Sequence, residues 1–189
     1  MFFLSGIHGV GKTTIGKRLE NELQLKCYTA SALIEHGTGH GMSLDKKVSD
    51  IVYNQTALVE EVEKLKTYNR NFILEGHLCV LDANGNVQRI SSDTFFKMNP
   101  RRIIVLVDDV SKIAERNHGR GDRLSSEEFL RDFQQAEVDY GEVIGQLLQI
   151  PVQISKNDEA GFKDILSFLR QMEEKEDERD PFVNKAGIC

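Results

Sequence analysis

The chain has 189 residues, 40% of them hydrophobic and 29% charged, which is ordinary usage for a single soluble domain and excludes wholesale disorder. Its formal net charge of −6 argues against a DNA-coating protein or a membrane-surface binder, since both need a net basic face. Three widely spaced cysteines, Cys27, Cys79 and Cys189, form no CxxC pair, so a reducing compartment and no zinc site are expected.

The opening MFFLSGIHGVGK has no basic leader, and its apolar run breaks after four residues. It reads as neither a signal peptide nor an anchor, and a cytoplasmic protein is expected. Phe2 to Ser5 reads as a short buried strand. A helix is expected from Lys12, with Ile15, Leu19 and Leu23 on one face. Leu25 to Ala30 is a weaker strand. A long helix is expected from about Asp45 to Thr67, burying Val48, Ile51, Val52, Leu58, Val62 and Leu65.

Phe72 to Glu75 is the next buried strand. Val80 to Ile90 reads as a hairpin turning at Asn84-Gly85. Ile103 to Asp108 is the clearest parallel-strand run, and Ser125-Ser126-Glu127-Glu128 opens a second long helix like a capping sequence. That helix is expected to bury Phe129, Phe133, Ala136, Tyr140, Val143, Ile144 and Leu147. Pro151 to Ser155 supplies a last strand, and Phe162, Ile165, Leu166 and Leu169 mark a last helix. Short unbroken strands alternating with amphipathic helices predict an α/β domain, a mostly parallel sheet covered on both faces. One domain over 1–175 and a charged, poorly ordered tail over 176–189 are expected.

Gly6-Ile-His-Gly-Val-Gly-Lys12-Thr13 matches the phosphate-loop pattern G-x-x-x-x-G-K-[ST] and joins the first strand to the first helix. The glycines let backbone N–H groups converge on phosphate oxygens at a helix N-terminus. Gly6, Gly9, Val10, Gly11, Lys12, Thr13 and Thr14 are therefore candidate ATP-binding residues. Lys12 would reach the β- and γ-phosphates, and the Thr13 hydroxyl would hold Mg²⁺. His8 occupies a free position of the loop and reads as a bystander. Two strand ends could supply the second acid for the metal, Glu75 and Asp108-Asp109. Glu75 is preferred because Gly76 behind it admits a substrate, and it could serve Mg²⁺ through water or act as a base.

Arg116, Arg120 and Arg123 fall within eight residues in ERNHGRGDR. Two glycines and an asparagine predict a loop there, about 116–126, whose guanidinium groups could close over transferring phosphates. No N-K-x-D guanine signature and no LSGGQ motif occurs, which disfavours GTPases and ABC-type ATPases.

With this P-loop, a Glu75-Gly76-His77 strand end and an arginine-rich loop in that order, the chain resembles the nucleoside monophosphate kinases. It is most similar to archaeal-type adenylate kinases and their bacterial P-loop relatives. The resemblance implies a five-stranded parallel sheet of order 2-3-1-4-5 and an acceptor-binding segment beginning at Tyr28 to Glu35, within about 28–70. It implies lid arginines at Arg116, Arg120 and Arg123. Glu75 and His77 fall on an Asp-x-His strand end, and Asn157 falls in the loop that touches the adenine of ATP. The family's acid is normally Asp; Glu75 is one methylene longer, and a Glu at this strand end also serves as the base in kinases of hydroxyl acceptors.

The leading reading is an ATP- and Mg²⁺-dependent kinase of a small phosphate acceptor, a nucleoside monophosphate first, in a monomer or homodimer. Its catalytic group would be Lys12, Glu75, His77, Arg116, Arg120 and Arg123, with Thr13 and Glu75 on the metal. A second reading is an ATPase switch acting on a protein or RNA partner, in which His77 would position a lytic water. A third is a kinase of a small hydroxyl acceptor.

Overall fold

The computed structural model describes residues 1–39, 48–82, 84–118 and 126–171. Five parallel strands form the sheet: β1 (Phe2–Ser5), β2 (Lys26–Thr29), β3 (Phe72–Glu75), β6 (Arg102–Val107) and β7 (Val152–Lys156). Their order is β2-β3-β1-β6-β7, which is 2-3-1-4-5 when the separate hairpin β4 (Cys79–Leu81) and β5 (Val87–Arg89) is left out of the count. Every residue of β1 and β3 is buried, as an apolar run covered on both faces requires. The register pairs Leu4 with Glu75, Ser5 with Val105 and Val107 with Lys156. All functional candidates that leave the strands thus emerge at one edge, where α/β sheets bind ligands.

The helices are α1 (Lys12–Leu23), α2 (Ala30–Thr38), α3 (Val48–Tyr68), α4 (Ser92–Met98), α5 (Val110–His118), α6 (Glu127–Leu148) and α7 (Glu159–Arg170). None of them is long and apolar enough to cross a membrane. Two were not expected. In α2, Thr29 accepts from the Ala32 N–H at the start and Gly39 closes the end at φ 68°. In α4, Ser91 accepts from Asp93 N and Asn99 takes the left-handed C-cap. That short helix buries Phe95 edge-on against Phe3 and Tyr140, at 5.5 and 6.3 Å, while the adjacent Phe96 is left 49% exposed.

Three expectations need correction. Arg116 is not on a loop: α5 runs to His118, because the helix-breaking Gly119 and Gly121 come only after it. On α3, Val52 is 67% exposed, whereas Leu58 and Val62 are buried. The expected start of that helix at Asp45 lies outside the described residues. On α6, Leu147 is 49% exposed and Val143 is also exposed, and the buried stripe runs through Leu130, Phe133, Glu137, Tyr140, Gly141 and Ile144. The glycines explain this shift: a Cβ on Gly141 would sit 2.7 Å from Val105, and one on Gly145 2.2 Å from Val152. The helix therefore presses its glycines onto the sheet and turns Val143 and Leu147 outward.

The hairpin follows expectation. Asp82 Oδ1 accepts from the N–H groups of Asn84 and Asn86, and Gly85 takes φ 81° to close the turn. The 176–189 tail lies outside the described residues.

Candidate active site

The loop after β1 is shaped by three glycines at positive φ: Gly6 at 146°, Gly9 at 81° and Gly11 at 106°. Side chains are excluded there as well as strained. A Cβ on Gly9 would lie 2.3 Å from Asn117 Oδ1, and one on Gly11 2.3 Å from Asn157 Nδ2. Gly11 caps α1 without offering a side chain to its first-turn amides, which leaves a helix N-terminus facing the loop. Lys12 folds back over this cradle, donating to the carbonyls of Gly6 at 2.6 Å and Ile7 at 3.2 Å.

Beside the cradle, the Thr13 hydroxyl donates to Glu75 Oε2 at 3.0 Å, and the Cys27 thiol donates to Oε1 at 3.2 Å. Helix α1 passes so close here that a Cβ on Gly16 would meet Glu75 Oε1 at 2.1 Å. The carboxylate is thus held against Thr13, two hard oxygen groups side by side at the mouth of an anion cradle. That donor set fits Mg²⁺ carried on nucleotide phosphates, and the glycine-lined loop fits the phosphates themselves. Burial and the neighbouring Glu75 carboxylate push the Cys27 thiol far up, so it stays protonated as a donor.

Asp108, the rival strand-end acid, is committed elsewhere. Its Oδ2 accepts from Arg116 Nη2 at 2.7 Å, its Oδ1 from the Asp109 N–H, and Gln134 bonds both its N–H and its carbonyl. Arg116 Nη1 reaches on to the Gly9 carbonyl at 3.0 Å and that of Val10 at 3.4 Å, tying β6 to the loop. Asp109 bonds Lys112 and Lys156, which hold its carboxyl below the usual range. Asn157 Nδ2 donates to Val10 O at 2.8 Å, so it too braces the loop. Arg120 and Arg123 lie outside the described residues.

His77 stacks edge-on with His8 at 5.2 Å, and its Nδ1 lies 3.5 Å from Glu137 Oε1. Glu137 is the residue that sequence reasoning missed. It is wholly buried, and it accepts from the Ser5 hydroxyl, from Leu78 N at 3.0 Å and from Cys79 N at 3.3 Å. The signal was present: at 130, 133, 137, 140 and 144 an acid stands in an otherwise apolar helical stripe. Burial lowers the Lys12 pKa to about 8 from its usual 10.5, against the opposing pull of Glu137 and Glu75.

A measurable consequence follows from that lysine. Phosphates on the cradle restore its proton, so ATP binding at pH 8 is expected to take up about half a proton per site. The uptake fades toward pH 6.5. Calorimetry in buffers of different ionisation heat reads it directly; buffer-independent binding heats at pH 8 would refute it. Between pH 8 and 10.5 the unfolded chain holds this proton more tightly than the folded one, so Lys12 lowers stability at neutral pH and the penalty lifts as pH rises.

From the P-loop a cavity of about 700 Å³ extends between α2, α3, α4 and α6, and Thr13, Thr14, Glu75, His77, Arg116 and Asn157 all border it. Lys12 also lines it.

Residues 5–131 match the family described as the AAA domain. No curated protein sequence matches the chain significantly. Among solved structures, the chain is similar to the shikimate kinase of Acinetobacter baumannii in complex with shikimate, with 18% identity over 92% of this chain and 93% of that one, TM-score 0.59. It is similar to the shikimate kinase of Aquifex aeolicus vf5, at 18% identity over 90% and 96%, TM-score 0.55. It is also similar to the YorR protein of Bacillus subtilis in complex with phosphorylated GDP, at 16% identity over 92% and 97%, TM-score 0.56. The chain belongs to the AAA domain family, and its fold is that of the P-loop kinases of the shikimate and nucleoside monophosphate kinase type.

Proposed function

We propose that the protein transfers the γ-phosphoryl group of ATP to a nucleoside monophosphate, in the cytoplasm. The observation that carries this reading is the setting of Glu75. Both its oxygens take hydrogen bonds, from the Thr13 hydroxyl at the cradle and from the Cys27 thiol on β2. A carboxylate held there serves Mg²⁺ and is turned away from acting as a base. A phosphate oxygen is already ionised and needs no base, whereas a hydroxyl acceptor does. Magnesium, when bound, neutralises charge on the β- and γ-phosphates.

The chain's own residues supply the rest. Lys12 leaves the Gly6 and Ile7 carbonyls and places its ammonium on the phosphates. The first-turn amides of α1 orient them, and Arg116 keeps the loop in shape. Arg120 and Arg123 are assigned the lid role, spreading charge at the transferring group. YorR, with its phosphorylated nucleotide, offers a parallel within the same fold.

The test is ATP consumption by the purified protein against a panel of ribo- and deoxynucleoside monophosphates and small hydroxyl acceptors. One monophosphate is expected to raise ADP release at least about tenfold over the basal rate, a difference of about 1.4 kcal/mol. Stimulation only by a hydroxyl acceptor would overturn the assignment of Glu75. Acceptor-independent hydrolysis alone would favour an ATPase switch, with His77 beside the phosphates.

A further inference from the structure

Behind Glu75 lies a contact that the phosphate cradle alone does not explain. In the parallel register Cys27 pairs with Ile73 and Thr29 with Glu75, so the Cys27 and Glu75 side chains stand on one face of the sheet. Helix α1 crosses that face at Gly16, where a Cβ would lie 2.1 Å from Glu75 Oε1 and 2.8 Å from Cys27 Sγ. The missing side chain lets thiol and carboxylate meet beneath the helix, and Sγ donates to Oε1 at 3.2 Å. The other oxygen, Oε2, is left to the Thr13 hydroxyl at 3.0 Å. Glu75 borders the cavity and Cys27 does not, so the thiol acts on a bound ligand only through the carboxylate.

We infer that Cys27 is a positioning residue for the metal acid: its thiol pins Glu75 Oε1 beneath α1, so that Oε2 is the oxygen presented, beside Thr13, to Mg²⁺ on the nucleotide phosphates. This rests on the ATP and Mg²⁺ part of the kinase reading and deepens it. A glutamate side chain has several rotatable bonds, and a carboxylate left loose at a strand end gives up that freedom when it engages a metal. A neutral donor on the far oxygen removes the freedom beforehand and leaves the negative charge in place, whereas an ammonium or guanidinium there would offset the charge. Hydrogen-bond partners standing behind a metal-bound group typically change metal affinity by about 10–100-fold. Gly16 completes the arrangement, because any side chain there would drive the carboxylate out from under the helix.

The test compares calorimetric ATP binding with Mg²⁺ and with a chelator. Cys27→Val fills the space of the thiol without a donor. In it the factor by which Mg²⁺ tightens ATP binding is expected to fall about tenfold, with binding in chelator unchanged. Cys27→Ser restores a donor and should lie within about threefold of the wild type. Gly16→Ala, a change that a helix interior favours, displaces the carboxylate from the other side and should copy Cys27→Val. Infrared difference spectra need no nucleotide: the Cys27 S–H stretch should lie below that of an unbonded thiol and move up in Glu75→Gln. If Glu75→Gln loses the Mg²⁺ effect while Cys27→Val keeps it, the inference fails and the kinase reading stands. If Glu75→Gln keeps it too, Glu75 is not the metal acid, and the inference fails together with the observation that carries the kinase reading. Equal weakening of ATP binding with and without Mg²⁺ in Cys27→Val, or a serine variant as impaired as the valine one, makes Cys27 a packing residue and overturns the inference.

Discussion

Lys12→Ala should lower acceptor-stimulated ATP turnover by about 10²–10³-fold and leave the melting temperature unchanged or slightly raised. The kinetic part follows from the cradle. Lys12 is the cation folded back over the cradle, held on the Gly6 and Ile7 carbonyls that it would leave for the phosphates. On the proposed reading, without it the developing charge would keep only backbone dipoles, Mg²⁺ and the arginines. The stability part follows from burial. A lysine whose pKa falls from 10.5 to about 8 on folding is paid for by the fold at neutral pH, so its removal relieves a cost. The two readouts together separate a catalytic loss from a folding loss. Turnover within threefold of wild type would mean that the cradle does not carry the chemistry. A melting temperature several degrees lower would mean that Lys12 is structural.

How much of this was legible in the sequence depends on how local each cause is. The P-loop could be read because glycine, lysine and threonine act within one turn, and the sheet because each strand is an unbroken apolar run between helices. The short helices α2 and α4, of nine and seven residues, were missed because so few positions carry little periodic signal. Their caps, Thr29 with Gly39 and Ser91 with Asn99, were the available signs. Arg116 reads as a loop residue because Gly119 and Gly121 stand so close behind it, yet α5 runs on to His118 before reaching them. The choice between Glu75 and Asp108 was not local at all. It turns on Thr13, 62 positions from Glu75, and on an Arg116–Asp108 pair that also grips the loop.

Glu137 depends most on distance in sequence, and its removal is expected to have the largest effect on stability. Glu137→Ala should destabilise the domain by about 4 kcal/mol. The carboxylate accepts from Ser5, 132 positions away, and from the amides of Leu78 and Cys79, and it is fully buried. Truncation strands three buried donors from two distant segments, at about 1–3 kcal/mol each before the structure relaxes. For a domain of this size that corresponds to a fall in melting temperature of about 8–16 °C. Glu137→Gln keeps one carbonyl oxygen but turns an NH₂ toward N–H donors, so about half the loss is expected. Glu22→Ala, at an exposed acid near Arg170, is the control and should stay within about 0.5 kcal/mol. Thermal unfolding of the three variants settles the ranking; equal melting temperatures for Glu137→Ala and Glu22→Ala would refute it. The same substitution reaches the active site. Glu137 pulls the Lys12 pKa up against burial, so its loss lets that pKa fall further below 8. In the Gln variant, which should stay folded, proton uptake on ATP binding should therefore extend to lower pH than in the wild type. One buried acid thus fastens β1 to the turn after β3 and keeps the phosphate-loop lysine charged, which is reason enough for α6 to carry a glutamate where its stripe calls for an aliphatic residue.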